Sequence, residues 1–125
     1  MDEALVVHAT DGDQLADVDV PLHDAAFSMA DIRFDQQRGV VQISFKAPRV
    51  RDLSFRRRSG GVEPFADRLL TISNVASINI EDPAGLIEHS YARIVNPETG
   101  RLTLVSNFPG QVDFVVSAID LRVTT

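Results

Sequence analysis

Residues 31–46 read Asp31-Ile32-Arg33-Phe34-Asp35-Gln36-Gln37-Arg38-Gly39-Val40-Val41-Gln42-Ile43-Ser44-Phe45-Lys46, and their spacing decides the fold. Ile32 and Phe34 share one side of an extended chain while Arg33 points to the other. Val41, Ile43 and Phe45 alternate in the same way with Gln42, Ser44 and Lys46. Successive side chains on a strand point to opposite faces, so the pattern predicts two half-buried strands. The intervening Asp35-Gln36-Gln37-Arg38-Gly39 predicts a hairpin loop in which Gly39 takes a positive φ.

The same period runs through the rest of the chain, punctuated by turn residues. Pro48 is expected to end the second strand, since it lacks a ladder donor. Leu53, Phe55 and Arg57 alternate with Ser54, Arg56 and Arg58 in a short, polar strand of edge character, and Ser59-Gly60-Gly61 marks a turn. Glu63 to Leu69 is expected to form one or two helical turns. Leu70, Ile72, Ala76, Ile78 and Ile80 fall on one face of a long strand that Asn74 interrupts, which predicts a bend or bulge there. Asp82-Pro83-Ala84-Gly85 reads as a turn before a strand from Leu86 to Val95.

Asn96-Pro97-Glu98-Thr99-Gly100 is the strongest turn signal. Pro97 presets φ, Asn96 offers a capping side chain and Gly100 a left-handed residue. Leu102 and Leu104 share a face of the return strand, and Asn107-Phe108-Pro109-Gly110 reads as a type II turn. In the final stretch Val112, Phe114 and Val116 have one parity and Ile119, Leu121 and Val123 the other, which predicts a bulge near Ser117 or Ala118. Near the start, Leu5 to Ala9 reads as a strand, Val18 and Val20 as the end of another, and His23 to Phe27 as a short turn. The whole predicts one all-β domain over residues 1–125: an antiparallel β-sandwich or curved half-barrel of about seven or eight strands with little helix.

Composition bounds the function. The 125 residues contain no cysteine, which excludes a disulfide scaffold, a cysteine zinc site and a thiol nucleophile. Val and Ile outnumber Leu by 23 to ten, as pleated surfaces favour. No apolar run approaches the roughly 18 residues of a membrane helix, and Met1-Asp2-Glu3 lacks a basic leader, so we expect a cytoplasmic protein without a membrane partner. A net charge of −6 argues against a nucleic-acid partner, whose phosphates demand cationic neutralisation. The charge is uneven: residues 1–35 sum to −8, residues 36–68 to +5 and residues 69–125 to −3. Such segments neutralise one another in the fold or leave two poles.

Phosphate loops, dinucleotide fingerprints, nucleophile elbows and calcium loops are absent from the sequence. Asp11-Gly12-Asp13 reads as a turn. No two of His8, His23 and His89 share a metal-ligand spacing, and no metal or cofactor is expected. Three groups of residues remain as candidates. His89, Tyr91 and Arg93 share strand parity and offer a base, a hydroxyl and an anion partner to a cleft, or else a half-wet sheet face. His23 and Asp24 pair an imidazole with a carboxylate, although neighbours on an extended chain diverge, and Asp24 as a turn cap is the plainer reading. Arg56, Arg57 and Arg58 form the densest cationic cluster, suited to guarding an edge strand or to holding an acidic partner or anion.

Leu22-His23-Asp24-Ala25-Ala26, followed by residues 31–35 and 40–45, resembles the opening of several small bacterial β-sheet families, some of them immunity proteins that neutralise toxins by binding. The resemblance implies a binding role and carries no catalytic residues. Taken with the residues themselves, it leads us to expect a non-catalytic interaction module that neutralises or regulates a protein partner, or that pairs with its own kind as a homo-oligomer. The alternative is a small-molecule-binding or hydrolytic β-domain with a cleft lined by His89, Tyr91 and Arg93.

Overall fold

The computed structural model describes residues 5–23, 25–46, 67–86, 88–107 and 110–125. In chain order the strands are β1 (Leu5–Ala9), β2 (Ala26–Phe27), β3 (Arg33–Asp35), β4 (Val40–Phe45), β5 (Arg68–Ile72), β6 (Val75–Glu81), β7 (His89–Glu98), β8 (Arg101–Ser106), β9 (Gln111–Val116) and β10 (Leu121–Thr124), with one helix, α1 (Leu15–Leu22). They form two antiparallel five-stranded sheets, one curled into a half-barrel. The first runs β1-β10-β5-β4-β3 and the second β2-β7-β8-β9-β6. The ten strands of the described residues exceed the seven or eight expected, because the runs 70–80 and 112–123 each divide into two strands and β2 is too short to show a period of its own.

The hairpin β3–β4 forms as its alternation requires. Val41, Ile43 and Phe45 are buried, and Gln42 and Ser44 are exposed. Gly39 has φ +66°, and its carbonyl accepts from Val75 N at 2.9 Å, which joins the loop to the first residue of β6. A backbone bridge at the end of β4, with Ala26 N donating to Lys46 O at 2.9 Å and Lys46 N to Ala26 O at 2.8 Å, ties the first sheet to β2 and so to the second.

Two of the expected irregularities are larger than bulges. The apolar run from Leu70 to Ile80 is not one strand: β5 ends in the first sheet, Asn74 takes φ +61°, and β6 begins in the second sheet. The change of parity after Val116 has the same cause. β9 lies in the second sheet and β10 in the first, so residues 117–120 carry the chain across instead of inserting one residue into a strand. The two corners lie side by side, with Ser73 N donating to Asp120 O at 2.9 Å and Ser117 N to Asn74 O at 3.0 Å. A paired ribbon that bends from one sheet into the next keeps its apolar side toward a single interior.

Val18 and Val20 belong to α1 and not to a strand. Asp11 caps the 3-10 turn Gly12–Gln14 that leads into α1: its Oδ1 accepts from Gln14 N at 3.1 Å, and Gln14 Oε1 accepts from Thr10 N at 2.7 Å. Leu15, Val18 and Leu22 are buried at helical spacing while Val20 is 77% exposed, an outcome that a two-residue period cannot produce. Pro21 sits in the last turn. The helix packs on β7 and β1. The expected helical turn toward Leu69 is also corrected, since Arg68 and Leu69 already belong to β5, paired with Phe45 and Ser44. The strand after the Asp82–Gly85 turn begins at His89, not Leu86. The expectations for Pro48, for residues 53–66 and for Phe108-Pro109 lie outside the described residues.

Gly39 and Gly85 share a left-handed backbone, at φ +66° and +61°. A β-carbon at Gly39 would lie 3.1 Å from Val75 O, whereas at Gly85 it would meet nothing within 4 Å. Gly85→Ala should therefore cost about 1 kcal/mol, from the left-handed conformation alone. Gly39→Ala should cost roughly 1 kcal/mol more through the added crowding. Urea unfolding of the two variants checks this, and equal losses would contradict the reading of the hairpin seam.

Candidate functional site

The three residues grouped by parity on β7 do not share a face. The pairing of β7 with β8 shifts register between Tyr91 and Arg93, so the inward positions are His89, Tyr91 and then Ile94, and Arg93 is exposed. This corrects the expected cleft: bulging at Ala92 sends the arginine outward while the imidazole and phenol enter the core. Of the other candidates, His23 is exposed just past α1. Asp24, Arg56, Arg57 and Arg58 lie outside the described residues.

His89 is fully buried beside the Phe27 ring, whose centroid is 5.7 Å away. Its Nδ1 shares a hydrogen bond with Ser106 Oγ at 2.9 Å. Nε2 lies 3.2 Å from Asp82 Oδ1, without hydrogen-bond alignment. Serine, imidazole and carboxylate thus form a chain, the set of groups that activates a serine nucleophile. The imidazole and Ser106 are both buried, however, and Gly110 packs so closely that a β-carbon there would lie 2.8 Å from His89 Cε1. The arrangement gives Nδ1 of the buried imidazole a hydrogen-bond partner and leaves Nε2, among the described residues, with only the Asp82 contact.

Tyr91 is equally buried and stacks edge-on against Phe45, with centroids 5.6 Å apart. Its hydroxyl donates to Asp19 Oδ1 of α1, and the same oxygen accepts from Ile94 N at 3.2 Å. One carboxylate therefore fastens the helix to β7. An open cleft beside this contact is lined by Asp13, Ala16, Asp19, Arg93 and Asn96, which is where Arg93 is found.

The outer face of the first sheet holds a second depression, a groove of about 410 Å³. Register places Arg33 opposite Gln42, Gln42 opposite Thr71, Thr71 opposite Arg122 and Arg122 opposite His8, one continuous row across five strands. Arg38, Asp35, Ser73 and Asp120 complete the lining. The acids are engaged locally: Asp120 Oδ1 lies 2.9 Å from His8 Nε2 and 3.8 Å from Arg122 Nε, and Asp35 Oδ1 accepts from Arg38 N at 3.2 Å. Among the described residues Arg33 and Arg38 form no ion pair. Sequence reasoning placed Arg33 and Gln42 on the outward side but did not join them to Thr71 and Arg122, because strand neighbours across a sheet are set by register.

Among the described residues no group of His, Asp and Glu side chains is placed to hold a metal ion, and no helix is long and apolar enough to cross a membrane. Comparison with protein-family models, with curated proteins and with solved structures finds no significant match to this chain.

Burial, and then the Asp19 carboxylate, push the Tyr91 phenol well above its ordinary value near 10. The folded state thus holds this proton more tightly than the unfolded chain does. The stabilisation is complete below about pH 10 and is lost as pH rises toward the folded value, at up to about 1.4 kcal/mol per pH unit. Tyr91 is the only tyrosine, so tyrosinate absorbance should emerge only as the protein unfolds in alkali. Tyrosinate formed near pH 10 with the circular dichroism still native would contradict this. Tyr91→Phe should remove the contribution to the slope and, by leaving Asp19 without its phenolic donor, cost about 1–3 kcal/mol at neutral pH in urea melts.

Proposed function

We propose that this chain is a non-catalytic interaction module that recognises a protein partner and neutralises or regulates it, acting in the cytoplasm. The observation that carries the reading is the polar groove on the first sheet, where Arg33 and Arg38 stand exposed without ion pairs among the described residues, while Asp120 contacts His8 and Arg122 and Asp35 accepts from a backbone N–H. Arg33 on β3 and Arg38 in the adjoining hairpin loop present guanidinium forks to a partner's oxygens. A sheet face of this kind gives charge complementarity to an interface, which sets specificity and association rate. The groups best suited to hydrolysis, His89 and Ser106, are buried in mutual contact, which weighs for recognition over the hydrolytic alternative.

A photo-crosslinking amino acid at Thr71, in the groove, should trap a discrete partner in cells of the source organism. The same group at Val115, exposed on the second sheet, should not. The Thr71 product should vanish in the Arg33→Glu, Arg38→Glu double variant and weaken in extracts at high salt, as screening of an exposed charged interface requires. Equal trapping from both positions, or a product indifferent to the arginine changes, would rule out the groove as the binding surface.

A further inference from the structure

We infer that the groove binds an extended acidic segment of the partner, with carboxylate side chains four residues apart, an inference that rests on the interaction reading above. The spacing follows from the register. Arg33, Gln42, Thr71 and Arg122 are cross-strand neighbours on β3, β4, β5 and β10, and Gln42, Thr71, Arg33 and Arg122 all line the groove. Adjacent strands lie about 4.8 Å apart, so three intervals separate the two terminal arginines by roughly 14 Å at the backbone. An extended segment laid along this row rises about 3.3 Å per residue and covers that distance in four residues. Side chains four apart on an extended chain point the same way, whereas those three apart point to opposite sides.

A carboxylate at the first position meets Arg33, with Arg38 beside it, and one at the fifth meets Arg122. The residue midway between them points the same way and faces Gln42 and Thr71, whose amide and hydroxyl accept a polar side chain of either kind. Asp120 does not oppose the incoming acid at full strength, because its Oδ1 is held by His8 at 2.9 Å and lies 3.8 Å from Arg122 Nε. Carboxylates suit the arginines because the guanidinium fork matches two oxygens at once. The planar, spaced donors favour a peptide over a single compact anion, which occupies one end of the row only.

The test uses the whole protein and short Thr- and Val-rich peptides, which favour extended conformations. One peptide carries Glu at i and i+4, a second Glu at i and i+3, and a third Lys at i and i+4. Inorganic phosphate and a DNA duplex serve as the other anions. Peptide binding by fluorescence anisotropy, with backbone amide shifts by NMR, gives the readout. The i, i+4 acidic peptide should bind about tenfold or more tighter than the i, i+3 peptide, shift the amides of Arg33, Gln42, Thr71 and Arg122, and lose about tenfold in affinity in Arg33→Gln, Arg38→Gln. The exposed pair Arg93→Gln, Arg101→Gln, off the groove, should bind as the parent does. Equal affinity for the two acidic spacings, binding of the Lys peptide, or displacement of the peptide by phosphate or DNA at matched concentration overturns the inference. A crosslinked partner at Thr71 that meets the groove through a segment without acids overturns it too but leaves the interaction reading intact. No crosslinked partner at Thr71 removes that reading, and the inference with it.

Discussion

The two backbone hydrogen bonds between neighbouring corners, Ser73 N to Asp120 O and Ser117 N to Asn74 O, are the constraint on which the rest of the structure depends. They hold together two chain segments at the place where both leave one sheet for the other. Because β5 and β10 are neighbours before the bend and β6 and β9 neighbours after it, with one register shift between Val75 and Ser77, the ribbon stays paired on either side while turning its apolar face through the corner. Asn74 supplies the left-handed residue that such a turn needs, one of the few residues besides glycine to adopt it readily. The interior that results is continuous, drawing Leu70 and Ile72 from one sheet and Val112 and Phe114 from the other into one core.

That interior is not wholly apolar, and its polar atoms explain the placement of the second sheet's helix and turn. Tyr91 and His89 enter the core with their polar ends directed at its margins, where Asp19 on α1, Asp82 in a turn and Ser106 on β8 receive them. The Tyr91–Asp19 bond joins groups 72 residues apart and holds α1 on β7, while the His89–Asp82 contact is local and places the Asp82 turn beside the start of β7. The aromatic rings of Phe27, Phe45 and Tyr91 fill the space between the sheets beneath them, at centroid separations of 5.1 and 5.6 Å. His89, Ser106, Tyr91 and Asp19 are thus engaged with one another within the fold, while Arg33, Arg38 and Arg122 stand exposed on the groove of the first sheet.

How much of this was legible depends on which signal a residue carries. Val41, Ile43 and Phe45 showed their burial by alternation alone, as did Gly39 and Gly100 their left-handed turns, at φ +66° and +84°. Asn74 was legible as an interruption but not as a change of sheet, because a bend and a crossover leave the same gap in an apolar pattern. Arg93 was misplaced for a related reason: one extra residue at Ala92 reverses parity, and no composition cue marks it. The helix α1 was missed because acids and β-branched valines obscured its spacing, although Asp11 is of a capping type and opens the turn that leads into it. Asp82 and Ser106 carried none, since a turn aspartate and a strand serine look the same whether or not a histidine lies between them.

By itself the sequence determined which side chains face inward along a regular strand such as β4 and where most turns fall, since both follow from the two-residue geometry of an extended chain and from the φ preferences of Gly, Pro and Asn. Beyond the bulges it did not, and Ala76 and Ile80, of the expected inward parity, are exposed. Only the tertiary structure decided which inward and outward residues become neighbours. Arg33, Thr71 and Arg122 meet because β10 inserts between β1 and β5 and β4 pairs with β5 in a particular register. Periodicity assigns a residue to a face, but proximity across strands is a property of the assembled sheet.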